Sequence, residues 1–195
     1  MLSSISPFGE RARRQRFVIT SVSHIVAAAL AGAAFGGLLG GLGARMGVEF
    51  DPVGMIAIAV LAVVGFAVDG SWFGLRVPGL RRQVDEDWLI RYRGWVYGAG
   101  YGAQLGVGFA TIVESMLTWV VFACAFLAGP VGGLVVGAVF GFGRGVPLLL
   151  TARIHDPVRL RQFMATMHRR RRHAQLAART AELLAAAVLT SLVLV

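Results

Sequence analysis

A few side chains in this sequence bring charge or polarity into otherwise apolar runs: His24, Asp69, Gln104, Thr111, Glu114 and Arg144. An ionisable group within an apolar span is costly, so it faces the protein interior or a wet cavity and marks a functional site by default. Arg144 lies too deep in its run to reach the interface and calls for a carboxylate partner. Asp69 and Glu114 are the two candidates, one on each side of it in depth. Two chemistries fit this trio. One is a structural ion pair that locks three helices together. The other is a carboxylate that takes up and releases a proton or cation as the helices shift. His24, Gln104 and Thr111 add polar lining, which hydrogen bonding between helices also explains.

The pattern carries no soluble-enzyme signature. It has no phosphate-cradling glycine loop, no histidine pair at metal spacing within one run, and no nucleophile elbow. Cys124 is the only cysteine, which excludes an internal disulfide and a dithiol redox couple. No cofactor and no metal are therefore expected, and the chain reads as something other than an enzyme.

The elements that must position these residues follow from composition. Hydrophobic residues make up 56% of the chain and charged ones 15%, against about 25% charged in a soluble domain. That balance points to an all-α integral membrane protein. The net charge of +9 comes entirely from arginine, with no lysine present. Because the arginines sit between apolar runs, they serve topology and anionic headgroups, and no nucleic acid is expected as a partner.

Apolar runs cover residues 17–44, 53–73, 94–128, 131–152 and 176–195. Arginines crowd before the first run, between the second and third, and between the fourth and fifth. The other connections carry little charge. The positive-inside rule then gives five crossings in a bacterial inner membrane, with the N-terminus inside and the C-terminus outside. The chain divides into a basic cytoplasmic N-terminus (1–16), four transmembrane helices (17–152) with a basic loop at 74–93, a cytoplasmic arginine-rich segment (153–175) and a fifth transmembrane helix (176–195). At about 1.5 Å per residue the third run is roughly 50 Å long against a bilayer core of about 30 Å. It must tilt, protrude or break; its glycine-dense first half allows a kink or a partly re-entrant segment, and one long helix, tilted or kinked, is the favoured expectation.

In HDPVRLRQFMATMHRRRRH, Asp156 can cap a helix that begins at Pro157, with Leu160, Phe163, Met164 and Met167 on one face. This reads as an amphipathic helix on an anionic leaflet, with Arg169, Arg170, Arg171 and Arg172 at the headgroups. Trp88, Tyr92, Trp95 and Tyr97 look like interfacial anchors for the third run.

Glycines recur every fourth residue in three runs: Gly32, Gly36 and Gly40; Gly98, Gly102 and Gly106; Gly133, Gly137 and Gly141. Small residues on one helix face let backbones approach closely, so these rows predict glycine-zipper packing within the chain or between protomers.

Residues 105–111, LGVGFAT, and 141–150, GFGRGVPLLL, resemble segments of the CcdA/DsbD-type membrane proteins of cytochrome c biogenesis and thiol–disulfide electron transfer. The resemblance implies a shared scaffold with a wider superfamily of solute and metal exporters. The Pro-Cys motif of that family is missing near Thr111 and Ile112, so none of its redox residues carry over.

The leading expectation is transport-like passage of a small solute or ion that uses Glu114. The alternative is a non-catalytic membrane subunit or scaffold. Its partners are the lipid bilayer with anionic headgroups, and further copies of the chain or other membrane subunits.

Overall fold

The computed structural model describes residues 5–48, 50–72, 74–75, 77–79 and 87–194. Arg76, Arg81 and Arg82 of the basic loop, Glu49 and Val195 lie outside the described residues. Among those described the chain is helical, with no strand. The helices are α1 (Pro7–Ala12), α2 (Phe17–Arg45), α3 (Pro52–Asp69), α4 (Trp88–Arg91), α5 (Gly94–Val107), α6 (Leu117–Leu127), α7 (Gly129–Gly145), α8 (Pro157–Arg169) and α9 (Arg171–Leu194). A 3₁₀ turn, η1 (Val146–Thr151), extends α7.

The architecture is built around α2. Its small-residue face meets α7 in antiparallel fashion: a β-carbon added at Gly32, Gly36 or Gly40 would collide with the carbonyl oxygen of Gly137, Gly133 or Gly129. An adjoining part of α2 receives α5 in parallel, where a β-carbon at Gly102 or Gly106 would strike the carbonyl of His24 or Ala28. Only glycine permits backbones this close, so the four-residue step places three helices at contact distance.

A second layer pairs α3 with α9. Ile58, Ala59 and Ala62 of α3 bury against Ala186 and Leu189 of α9, with Val120 and Leu127 of α6 closing the cluster. The side chains left uncovered are largely apolar: Leu30, Leu38 and Leu42 on α2, Val60 and Val64 on α3, Val135 and Val139 on α7, Leu184 and Val188 on α9. An uncovered apolar exterior of this extent suits a lipid surround. Among the described residues four helices are long and apolar enough to cross a membrane: Phe17–Arg45, Pro52–Asp69, Gly129–Thr151 and Arg171–Leu194.

The third apolar run departs from the expected continuous helix. It divides into α5, of 14 residues, and α6, of 11, separated by residues 108–116. Neither half alone spans a core of about 30 Å at 1.5 Å per residue.

The amphipathic helix starts where the sequence places it. Asp156 caps α8, accepting from Val158 N–H at 2.9 Å, with Pro157 in the first turn. Leu160, Phe163, Met164 and Met167 are half-covered and the arginines exposed. Helix α9 begins at Arg171, five residues before the expected fifth run, and so takes up Arg171 and Arg172.

Tyr97 is a correction. It does not face outward as an anchor would but is fully buried, its hydroxyl donating to Glu10 at 2.5 and 2.7 Å. The buried Glu10 carboxylate explains the inward turn. It also accepts from Thr20 at 2.7 Å and Arg13 at 2.6 Å, fixing α1 to the start of α2 and α5. Burial works against the Arg13 charge, but hydrogen bonds to Glu10 and Tyr97 outweigh it and hold that guanidinium above its ordinary value.

Candidate functional site: a polarised helix break

The site begins with the end of α5. Gly108 takes φ +83° and ψ −62°, and Phe109 N–H donates back to Val107 O at 3.0 Å, which makes Gly108 the centre of a γ-turn. Side-chain-bearing residues are strained in that conformation, and a β-carbon there would also press on the rings of Phe122 and Phe140. The helix therefore stops, and its last carbonyls lose their intrahelical partners.

Arg144 reaches this end from α7. Its guanidinium donates to Gly108 O at 3.1 Å and to Thr111 Oγ1 at 3.1 Å, and it stands 5.5 Å from the centre of the Phe140 ring. A cation at the carbonyl end of a helix is favoured by the helix dipole. Thr111, read from sequence as lining, is thus one of the two groups that hold Arg144.

Nine residues later the chain resumes as α6, whose first amides need acceptors. Ser115 Oγ accepts from Leu117 N–H at 3.1 Å, and Asp69, the last residue of α3, accepts from Met116 N–H at 3.0 Å. Glu182 of α9 is fully buried, and both its carboxyl oxygens lack a hydrogen-bond partner among the described residues. A carboxylate thus meets the amide end and a guanidinium the carbonyl end, each matched to the dipole it meets. Arg179 lies over the Phe66 ring at 4.3 Å, beside Trp72.

The trio expected from sequence is consequently distributed. Among the described residues Arg144 has no carboxylate within 4.0 Å. Asp69 binds backbone, and Glu114 turns outward to Arg171 at 3.8 Å, with 69% of its side chain uncovered by protein. The physical reason is the break, which supplies backbone partners for Arg144 and Asp69 and carries Glu114 into an open segment. A cleft of about 300 Å³ runs past Asp69, Glu114, Arg171 and Gln175. His24 is buried, its Nδ1 3.2 Å from Gly98 O, and holds α2 to α5. Gln104 is half-covered on α5. Arg169, Arg170, Arg171 and Arg172 are all exposed.

Sequence reasoning passed over Glu182, Arg179 and Glu10. The first two sit three residues apart within a run counted as apolar, and that pairing was the available signal. Glu10 lies ahead of the first run, and nothing local distinguishes it from a solvated acid.

Fold and site together define an all-helical chain with membrane-length apolar helices and a charge-matched helix break. Comparison with known proteins adds a specific likeness. The chain is 34% identical over 134 residues to the methylamine utilization protein MauF of Paracoccus denitrificans, covering 67% of this chain and 48% of that protein. It is 34% identical over 152 residues to MauF of Paracoccus versutus (75% and 55%) and 30% over 155 residues to MauF of Methylorubrum extorquens (76% and 52%). The chain spans about half the length of the curated relatives it matches. No protein-family model matches it, and no solved structure does.

These likenesses overturn the resemblance to CcdA/DsbD-type proteins, since the curated relatives are MauF proteins. The glycines of 105–111 and 141–150 that carried it have a local explanation. Gly106 and Gly141 meet the Ala28 carbonyl, and Gly108 turns the chain. Close packing of this kind recurs wherever helices touch backbone to backbone.

Proposed function

We propose that this chain is a multi-pass bacterial inner-membrane protein that serves methylamine utilization as a non-catalytic subunit or scaffold. The observation that carries the reading is the 34% identity to MauF across two-thirds of the chain. The break supports it: Arg144 and Asp69 are engaged by fixed backbone groups, as suits a held shape better than a mobile charge. In this reading the chain crosses five times, by α2, α3, the pair α5–α6, α7 with η1, and α9. The basic segments lie inside, and α8 rests on anionic headgroups with Arg169, Arg170, Arg171 and Arg172. The partners are other membrane subunits or further copies of the chain.

The test is isolation of the tagged chain in gentle detergent from cells growing on methylamine. The expected result is a fixed-stoichiometry complex with other membrane subunits or further copies of the chain. A chain that purifies alone and carries solute flux in proteoliposomes would overturn the proposal.

A further inference from the structure

Arg144 lines a second cavity, of about 500 Å³, whose walls include Leu105, Gly143, Pro147 and Leu148 with His24 and Glu114. The wall is mostly apolar, so this is a pocket for a hydrocarbon body with one polar attachment point. The attachment point is positive. Arg144 has no carboxylate within 4.0 Å among the described residues, and its two recorded hydrogen bonds go to the neutral acceptors Gly108 O and Thr111 Oγ1. Glu114, at the cavity edge, is drawn off toward Arg171. A guanidinium held by neutral acceptors can still take an anionic partner, and a basic pocket between membrane helices is where anionic lipid headgroups bind.

We propose that this cavity binds an anionic phospholipid, with an acyl chain along Leu105, Gly143 and Leu148 and the phosphate at Arg144. The proposal rests on the chain lying in a membrane and not on any role in methylamine utilization. A failure here therefore leaves that role standing, and a failure there leaves this site.

The test uses the whole protein, delipidated in a neutral detergent. It is titrated separately with dioleoylphosphatidylglycerol, with dioleoylphosphatidylcholine and with inorganic phosphate, following the thermal midpoint by tryptophan fluorescence. Phosphatidylglycerol should raise the midpoint where the other two do not, and Arg144→Gln should weaken its apparent affinity at least about fivefold. Gly143→Leu is the second variant. A β-carbon there meets no atom within 4 Å, so leucine fills the pocket without disturbing the backbone. It should fold and lose the lipid response. Equal shifts by the two lipids, an undiminished phosphatidylglycerol response in Gly143→Leu, or an equal shift by phosphate alone would each overturn the proposal.

Discussion

Arg144 and Asp69 stand at the two ends of one helix break. The guanidinium donates to the Gly108 carbonyl at 3.1 Å, and the carboxylate accepts from the Met116 amide at 3.0 Å. Neither is the other's partner, yet both answer the same problem of orphaned backbone groups in an apolar setting. A backbone interruption at this depth persists only where the protein itself supplies the missing partners.

Gly108→Ala should be destabilising by about 1–3 kcal/mol, the usual cost of forcing a side chain into a sparsely populated backbone region. The contact of the new methyl group with the Phe122 and Phe140 rings adds to it. Equilibrium unfolding in mixed micelles measures this. A variant as stable as the parent would mean that the turn at Gly108 is not needed.

Asp69→Ala should cost about 1–2 kcal/mol by the same measurement, because it removes both an amide acceptor and a charge at the start of α6. Asp69→Asn keeps the acceptor and should recover more than half of that loss. If the two variants are equally unstable, the hydrogen bond to Met116 is not what Asp69 contributes.

Close approach of α2 and α7 gives a paired prediction. Gly36→Ala places a methyl group on the Gly133 carbonyl and should destabilise by about 2 kcal/mol or more. Gly41→Ala, where a β-carbon meets nothing within 4 Å, should be neutral or slightly stabilising through higher helix propensity. Equal effects at the two positions would refute the packing geometry.

Glu114→Gln should change stability by less than about 1 kcal/mol, as expected for an uncovered pair such as that with Arg171. A large loss would place Glu114 in a buried cluster after all.

How far the sequence reveals this arrangement depends on whether the cause is local. The start of α8 is legible because Asp156 and Pro157 act on their own neighbours. The glycine faces of α2, α5 and α7 are legible because a four-residue step needs no partner to be seen. The break is not. Hydropathy runs unbroken through residues 94–128, and the groups that make an interruption tolerable, Asp69 and Arg144, lie 47 and 36 residues away from the backbone atoms they bind. The same holds for Tyr97, which reads as an interfacial aromatic until Glu10, 87 residues earlier, is seen to receive its hydroxyl. Spacing alone also misleads where glycine dominates, since rows that serve packing mimic those of an unrelated family.

The central claim is that the chain supports methylamine utilization as a held scaffold, without a working carboxylate at Glu114. The most direct measurement is growth on methylamine of a strain lacking the gene, complemented with the wild-type chain or with Glu114→Gln. The account predicts that deletion abolishes growth on methylamine and that both chains restore it equally. Normal growth of the deletion strain, or failure of Glu114→Gln to restore it while the variant is present in the membrane, would contradict the account.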